Sequence, residues 1–503
     1  MAGEGKGAKP GAGSEDKLKW LILLTVIVGT FLGRLDQTIV GLAVPKIIND
    51  FGITVTEAGW ISTAYILANA VFVPVWGKLG DTIGRKKVYV WGFLIFIFGS
   101  VLAGLAWDLS SMIFFRIIQA IASSADYPTA MAILTVTFRE PKERAQALGI
   151  WSSAFAASAV FGPLIGGPLI DNFGWRSIFL LNLPVGLIGL AMAMTFVRES
   201  VSEKKSAHFD WWGAITLGVA LSTLVLVLDQ GVSWGWGSWQ SIACYITSAS
   251  FFYIFYRVDV AHPEPIVDFK FFRIPAFNGA LINNFVVFMG MIGSIFLLPI
   301  FAQTFLGYDA TETGYLFMPF AFALMLAAPL GARLIGRVEP RIVIAASTFV
   351  AALGLLLFLG LDPRSSVLDI IIPVFVLAFG MGFGMAQRTT VVASAVPDEE
   401  IGIASSVLAL VRNIAGAFGI AIFATILNDA TENSAIAIAS NTVVHTLDPL
   451  VRAQVIALIT FKAQIDAYHT VFIVSVGFLL IATVLALFLK VKEKKSGAEI
   501  YID

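Results

Sequence analysis

Roughly fourteen apolar stretches, each long enough to cross a lipid bilayer, follow one another from Leu18 to Leu489. A chain patterned in this way cannot bury its apolar residues in one water-soluble core. It must lie in a bilayer, where no water satisfies free backbone groups, and it must therefore cross as helices. Only 13% of the 503 residues are charged, about half the roughly 25% usual in soluble domains. The net charge of −1 offers no field to recruit nucleic acid. The single cysteine, Cys244, excludes an internal disulfide and a thiolate metal cluster. His208, His262, His445 and His469 are scattered without metal-ligand spacing. No G-x-x-x-x-G-K-S/T loop is present. No loop gathers a nucleophile, a base and an orienting group. Neither an enzyme nor a cofactor is expected, and an ion gradient becomes the energy source by elimination.

Hydropathy and turn residues place spans at 19–43, 57–76, 87–107, 109–137, 144–170, 176–197, 211–229, 239–257, 276–304, 312–334, 341–360, 369–393, 401–427 and 468–490. Basic residues collect in alternate connections: Arg85, Lys86 and Lys87; Arg139, Lys142 and Arg144; Arg198, Lys204 and Lys205; Lys270 and Arg273; Arg333, Arg337 and Arg341. The bias puts both termini in the cytoplasm. The expected organisation is a disordered tail over 1–17, a six-helix bundle over 18–198, and two extra helices with linkers over 199–275. A second six-helix bundle follows over 276–490 with a long external loop over 428–467, then a cytoplasmic tail over 491–503. Within the loop, Pro449–Ala463 could form a helix lying on the membrane surface.

Four stretches carry a resemblance. Gly77-Lys78-Leu79-Gly80-Asp81-Thr82-Ile83-Gly84-Arg85-Lys86 follows the second span and is similar to G-x-L-x-D-x-x-G-R-R/K of the major facilitator superfamily. Leu35 to Pro45 resembles L-D-x-T-I-V-N-V-A-L-P, with Gly41 for Asn. Arg116 to Ala120 resembles R-x-x-Q-G, and Gly162-Pro163-Leu164-Ile165-Gly166-Gly167 resembles the antiporter pattern G-P-x-x-G-G. Together they resemble the drug:proton antiporter family with fourteen transmembrane helices. A weaker copy of the first motif, Arg333–Arg341, has Gly336 where Asp81 stands. It occupies the equivalent cytoplasmic place if the seventh and eighth spans are an insertion.

Charges inside spans are costly and each needs a reason. Asp36 and Arg116 fall at similar depth on antiparallel spans and can pair. Either Asp36 carries the coupled proton with Arg116 favouring its charged form, or the two are a static ion pair. Asp126 is a lone carboxylate near the middle of span four, suited to proton coupling or to a cation. Its alternatives are pairing with Arg34 or Arg412, or bonding to neighbouring serines. Tyr127 and Pro128 would shape or kink that helix. Substrate-cavity candidates are Arg34, Gln37, Gln119, Tyr127, Asn283, Asn284, Arg412 and Asn413. Gln303, Gln387 and Arg388 are further polar residues of the second half. Packing is the competing explanation for each of the second-half residues. Gly77, Asp81, Gly84, Arg85, Lys86, Gly162, Pro163, Gly166 and Gly167 are conformational or gating candidates, the glycines through close helix approach.

The resemblance implies an all-α integral membrane protein: two six-helix bundles plus an inserted helix pair. The expected activity is proton-coupled export of amphipathic or cationic compounds, as a monomer in the plasma membrane among lipids. An exporter or flippase for an endogenous lipid or metabolite is the nearest alternative. A non-transporting sensor or scaffold is the alternative of another class.

Overall fold

The computed structural model describes residues 12–200, 210–263, 265–396, 401–442 and 448–489, and these contain helices and connections but no strand. In chain order the α-helices are α1 (Ala12–Phe51), α2 (Val55–Ile83), α3 (Arg85–Gly104), α4 (Leu109–Ser123), α5 (Asp126–Thr137), α6 (Pro141–Phe173), α7 (Arg176–Phe196), α8 (Trp211–Trp234), α9 (Trp239–Ala261), α10 (Pro275–Phe305), α11 (Ala310–Ala332), α12 (Pro340–Leu357), α13 (Val367–Ser394), α14 (Ile401–Ser440) and α15 (Pro449–Leu487). Eleven helices of the described residues are long and apolar enough to cross a membrane. The expected fourteen spans also counted α6, α9 and the stretch divided between α4 and α5. Large apolar side chains such as Trp91, Phe98 and Ile188 face outward, as a surface bathed in lipid rather than water requires.

The stretch 109–137, expected as one span, is two helices of 15 and 12 residues. Pro128 explains the break. It has no N–H to offer the carbonyl of Ser124, four residues back, and its ring disfavours the helical path there. The Ser124 hydroxyl turns to the Ile121 carbonyl instead, at 2.6 Å. Asp126 becomes the first residue of α5.

Helices α1–α7 pack among themselves, as do α10–α15, while α9 packs on α8 and α8 lies against α2 and α14. The bundles meet along α2–α14 and α6–α11. Small residues make these seams close. A Cβ on Gly167 of α6 would stand 2.5 Å from the Thr311 Cα of α11, and one on Gly314 would stand 2.6 Å from the Pro163 carbonyl oxygen.

Two expectations about the ends need correction. Helix α1 already begins at Ala12, inside the stretch 1–17 assigned to a tail; residues 1–11 and the tail 491–503 lie outside the described residues. The region 428–467 is not one loop with a separate surface helix. α14 runs on to Ser440 and α15 starts at Pro449, 40 and 39 residues long. At the helical rise each measures about 60 Å, twice a hydrocarbon core of roughly 30 Å. Leu427, Thr431, Gln464 and Tyr468 line one depression with Pro45 and Thr54, at the end of the molecule opposite the termini. The remainder of both helices projects beyond that end.

Candidate functional site

Three helices of the first bundle build a polar knot around Asp36. Arg116 Nη1 of α4 donates to Asp36 Oδ2 at 2.5 Å. Gln119 Nε2 and Asn182 Nδ2 of α7 each donate to Oδ1 at 2.9 Å, and both also donate to the Ser100 hydroxyl of α3. Gln119 Oε1 accepts from Arg116. The Tyr65 ring covers the guanidinium, 4.0 Å from its centroid. Asp36 and Arg116 are 3% and 1% exposed. The expected pairing is therefore present, and every oxygen of the carboxylate is occupied. Gln119 belongs to this knot rather than to a cavity wall.

Asp126 sits differently. Its Oδ2 accepts from the Thr30 hydroxyl of α1 at 2.7 Å, and Trp151 of α6 donates to that same hydroxyl at 2.8 Å. Oδ1 is buried and makes no close hydrogen bond, although the Tyr89 hydroxyl of α3 interacts with the carboxylate from the same side of the cavity. A cavity of about 30 Å³ adjoins it, bounded by Gly29, Gly33, Tyr89, Ala125 and Asp126. That is room for about one water. Arg34, one turn above Thr30, interacts electrostatically with Asp126 and donates to Gln37 Oε1 at 3.0 Å. Asp126 is thus the carboxylate whose charge acts on Arg34. Arg412 does not pair with Asp126. Tyr127 is exposed, its ring tilted on Trp151 at 5.4 Å.

In the second bundle Asn283 is a packing residue, its amide donating to the Ala482 carbonyl at 2.7 Å. Asn284 is buried and accepts from Arg412 Nε at 3.1 Å. Asn413 is half-buried beside it. Gln303 joins the bundles by donating to the Leu42 carbonyl at 3.0 Å. Gln387 is buried, with neither side-chain polar atom bonded.

The gating candidates fall at the two ends. Gly84 joins α2 to α3 at φ +116°, a conformation that favours glycine. Its missing Cβ leaves room for Glu199, whose carboxylate accepts from the Lys86 and Lys87 backbone amides at 3.0 and 3.2 Å. An acid at a helix N-terminus satisfies both its free donors and its dipole. Arg85 N bonds the Ser200 carbonyl, and Lys86 Nζ the Met194 carbonyl. Gly77 and Gly80 bring α2 against Pro128 and Thr129 of α5. The Asp81 side chain lies outside the described residues. At the opposite end Gly162 and Gly166 pack on Thr38 and Ile39 of α1, while Pro163 and Gly167 meet α11. Beside them Asp171 accepts from Lys46 Nζ at 2.6 Å, from the Thr311 amide and hydroxyl at 2.7 Å each, and from the Ala310 amide at 3.2 Å. This carboxylate thereby ties α1, α6 and α11 across the two bundles.

Residues 26–420 match the model of the Major Facilitator Superfamily. The chain belongs to that superfamily. Among its relatives is the multidrug resistance protein Stp of Mycobacterium tuberculosis, 32% identical over 82% of this chain and 76% of that protein. Another is the multidrug transporter protein MdtP of Bacillus subtilis, 31% identical over 86% and 78%. Among solved structures, a bacterial homolog of the human lysosomal transporter Spinster aligns with a TM-score of 0.66 at 19% identity, covering 96% of this chain and 98% of that one. Human MFSD10 (TETRAN) aligns with a TM-score of 0.59 at 14% identity, over 93% and 99%. This is a multi-pass membrane transporter of the major facilitator fold, and its relatives' names support efflux.

For this superfamily member the sequence had already joined Asp36 to Arg116. It missed Ser100, Asn182, Thr30, Trp151, Glu199 and Asp171. Asn182 carries a signal of its own, an amide within an otherwise apolar span. Asp171 had none, because an acid at a helix end is ordinary.

Proposed function

We propose that this transporter exports amphipathic small molecules in exchange for protons, and that Asp126 carries the proton. The observation that supports this is Asp126 Oδ1, which makes no close hydrogen bond and adjoins a water-sized space, with the Tyr89 hydroxyl beside it. A buried carboxylate oxygen without a close donor is a ready place for a proton, and a single water could deliver one. Asp36, by contrast, accepts three donors including a guanidinium, so both its oxygens are already occupied. On this reading Asp36 holds α1, α4 and α7 together while Asp126 titrates. Asp126 also begins α5, at a break that lets the lower half of the span move separately from the upper.

The alternating step is the parting of the bundles around this site. In the arrangement described, Asp171, Gln303 and the Gly167–Thr311 contact close the end opposite the termini. The basic connections argue that the termini are cytoplasmic, so this closed end would be external. Export would then require those contacts to open once a compound is bound and the proton exchanged. The multidrug names of the relatives favour small-molecule cargo over a scaffold role.

The test is uptake into everted membrane vesicles bearing the protein, with a panel of fluorescent amphiphiles. Uptake should follow an imposed pH gradient, collapse with a protonophore, and vanish in Asp126→Asn. Gradient-driven uptake that persists in Asp126→Asn would remove Asp126 from the role.

A further inference from the structure

The proton path uses charges of α1 and α5 and leaves those of the second bundle without a task. Arg412 is half-buried where α10, α13 and α14 meet. Its Nε is held by Asn284 Oδ1 at 3.1 Å, its Nη2 by the Thr389 hydroxyl at 3.2 Å, and its plane lies over the Phe288 ring at 5.0 Å. Next to Thr389, Arg388 is 1% exposed and donates to the Thr348 hydroxyl at 2.6 Å, the Ser347 hydroxyl at 3.2 Å and the Met381 carbonyl at 3.4 Å. Its Nε has no partner.

All these acceptors are neutral. Among the described residues no carboxylate lies within ion-pair distance of Arg388 or Arg412. In the first bundle, Arg116 has Asp36 and Arg34 has Asp126 nearby. The described intramembrane charges thus leave two positive ones unbalanced, both in the second bundle. A guanidinium does not shed its charge when buried, and an uncompensated buried charge is costly. Helix packing alone would be served better by apolar or neutral side chains.

We propose that Arg412, backed by Arg388, binds the acidic group of an amphipathic compound, a carboxylate, sulfonate or phosphate, so that the cargo is anionic or zwitterionic rather than a lipophilic cation. Arg412 is prepared for this. Two of its nitrogens are fixed by neutral groups, and Nη1 has no partner among the described residues. A guanidinium so oriented suits a planar acid. Phe288 beneath it, and the half-buried Phe285 and Phe418 whose rings meet at 5.7 Å, give the carbon body an apolar wall. The unpaired charges would also repel a lipophilic cation. This assignment rests on the transport reading above for its role as cargo site, but the binding is testable by itself.

The experiment is calorimetric titration of the purified full chain in nonionic detergent with pyrenebutyrate, pyrenebutanol and pyrenebutyltrimethylammonium. The carboxylate should bind at least tenfold more tightly than the other two. Arg412→Gln should erase that preference without changing the affinity for the alcohol, and Arg412→Lys should keep part of it, which controls for folding. Displacement of pyrenebutyrate by short-chain phosphatidylglycerol, but not phosphatidylcholine, would identify a lipid headgroup as the source of the acid. No displacement would identify a soluble acid. Equal binding of acid and cation by the parent, or an unchanged carboxylate affinity in a monodisperse Arg412→Gln protein, would overturn the proposal. Transport without acid preference would sink this site and leave the export reading standing. Arg412-dependent binding in a protein that moves no compound would do the reverse.

Discussion

Asp36 and Asp126 are carboxylates joined to the same helix, yet Asp36 has both oxygens closely bonded and Asp126 has one oxygen without a close hydrogen bond. Asp36 lies on α1, and Asp126 reaches α1 through Thr30. The difference divides their tasks. A saturated ion pair fixes geometry, whereas an unsatisfied oxygen beside a small cavity can change its protonation without dismantling its surroundings.

Breaking the saturated pair should therefore damage the fold. Arg116→Gln or Asp36→Ala leaves a buried charge without its partner, at a cost of about 3–5 kcal/mol. The expected result is a lower unfolding temperature and poor recovery in size-exclusion chromatography after heating. Removing both charges in Asp36→Asn with Arg116→Gln should recover part of the loss. Asp126→Asn should change stability far less than either single variant.

The break between α4 and α5 rests on Pro128. Pro128→Ala restores an N–H for the Ser124 carbonyl and should join α4 to α5 in one helix. Amide hydrogen exchange across Ser123–Tyr127 should slow, while transport falls because α5 no longer moves separately. Unchanged exchange would mean that Pro128 does not cause the break.

Asp171 yields a pH prediction. It lines an open depression of about 550 Å³ at the end opposite the termini. Burial pushes its carboxyl up, but the bonds from Lys46, Thr311 and Ala310 outweigh this and hold it down to about 2. A depressed carboxyl stabilises the closed contact fully above its unfolded value of roughly 3.9. That contribution fades only as the pH falls through about 2. The latch should thus be indifferent to pH between 5 and 8. Asp171→Asn should part the bundles at that end at every pH in this range. Fluorescence energy transfer between labels at Asn172 and Thr304, in a Cys244→Ser background, reads the separation. A separation in the parent that varies across pH 5–8, and ceases to vary in Asp171→Asn, would contradict it.

Gly167→Val should act on the same seam by volume instead of charge. Its Cβ alone would stand 2.5 Å from the Thr311 backbone, and backbone cannot turn aside as a side chain can. The same labels should report a wider separation, with transport reduced. Gly174, where nothing lies within 4 Å of an added Cβ, is not a matched control because its φ is +77°. Gly477→Ala, also with open space around it, serves for volume.

Much of this architecture was legible because membrane helices announce themselves by length and hydropathy, and Gly84 with its basic neighbours marks a turn. Pro128 signalled a kink, although the stretch 109–137 read as one span and proved to be two helices. Partners were harder to read. Asn182 and Asp36 are 146 residues apart, and nothing periodic in an apolar span says which neighbouring helix a polar side chain meets. Glu199 was invisible as a helix cap because it comes from the end of α7 rather than from the residues before α3. The region 428–467 read as a loop because its polar residues interrupt the hydropathy, although its alanine-rich run favours helix.

Exchange of a proton at Asp126 as cargo binds is read by proton release from the detergent-solubilised protein, followed with a pH-sensitive dye in weakly buffered solution as an amphipathic compound is added. The parent should release protons in step with binding, Asp36→Asn with Arg116→Gln should still release them where it folds, and Asp126→Asn should bind without release. Equal release from the parent and from Asp126→Asn would mean that another group carries the proton.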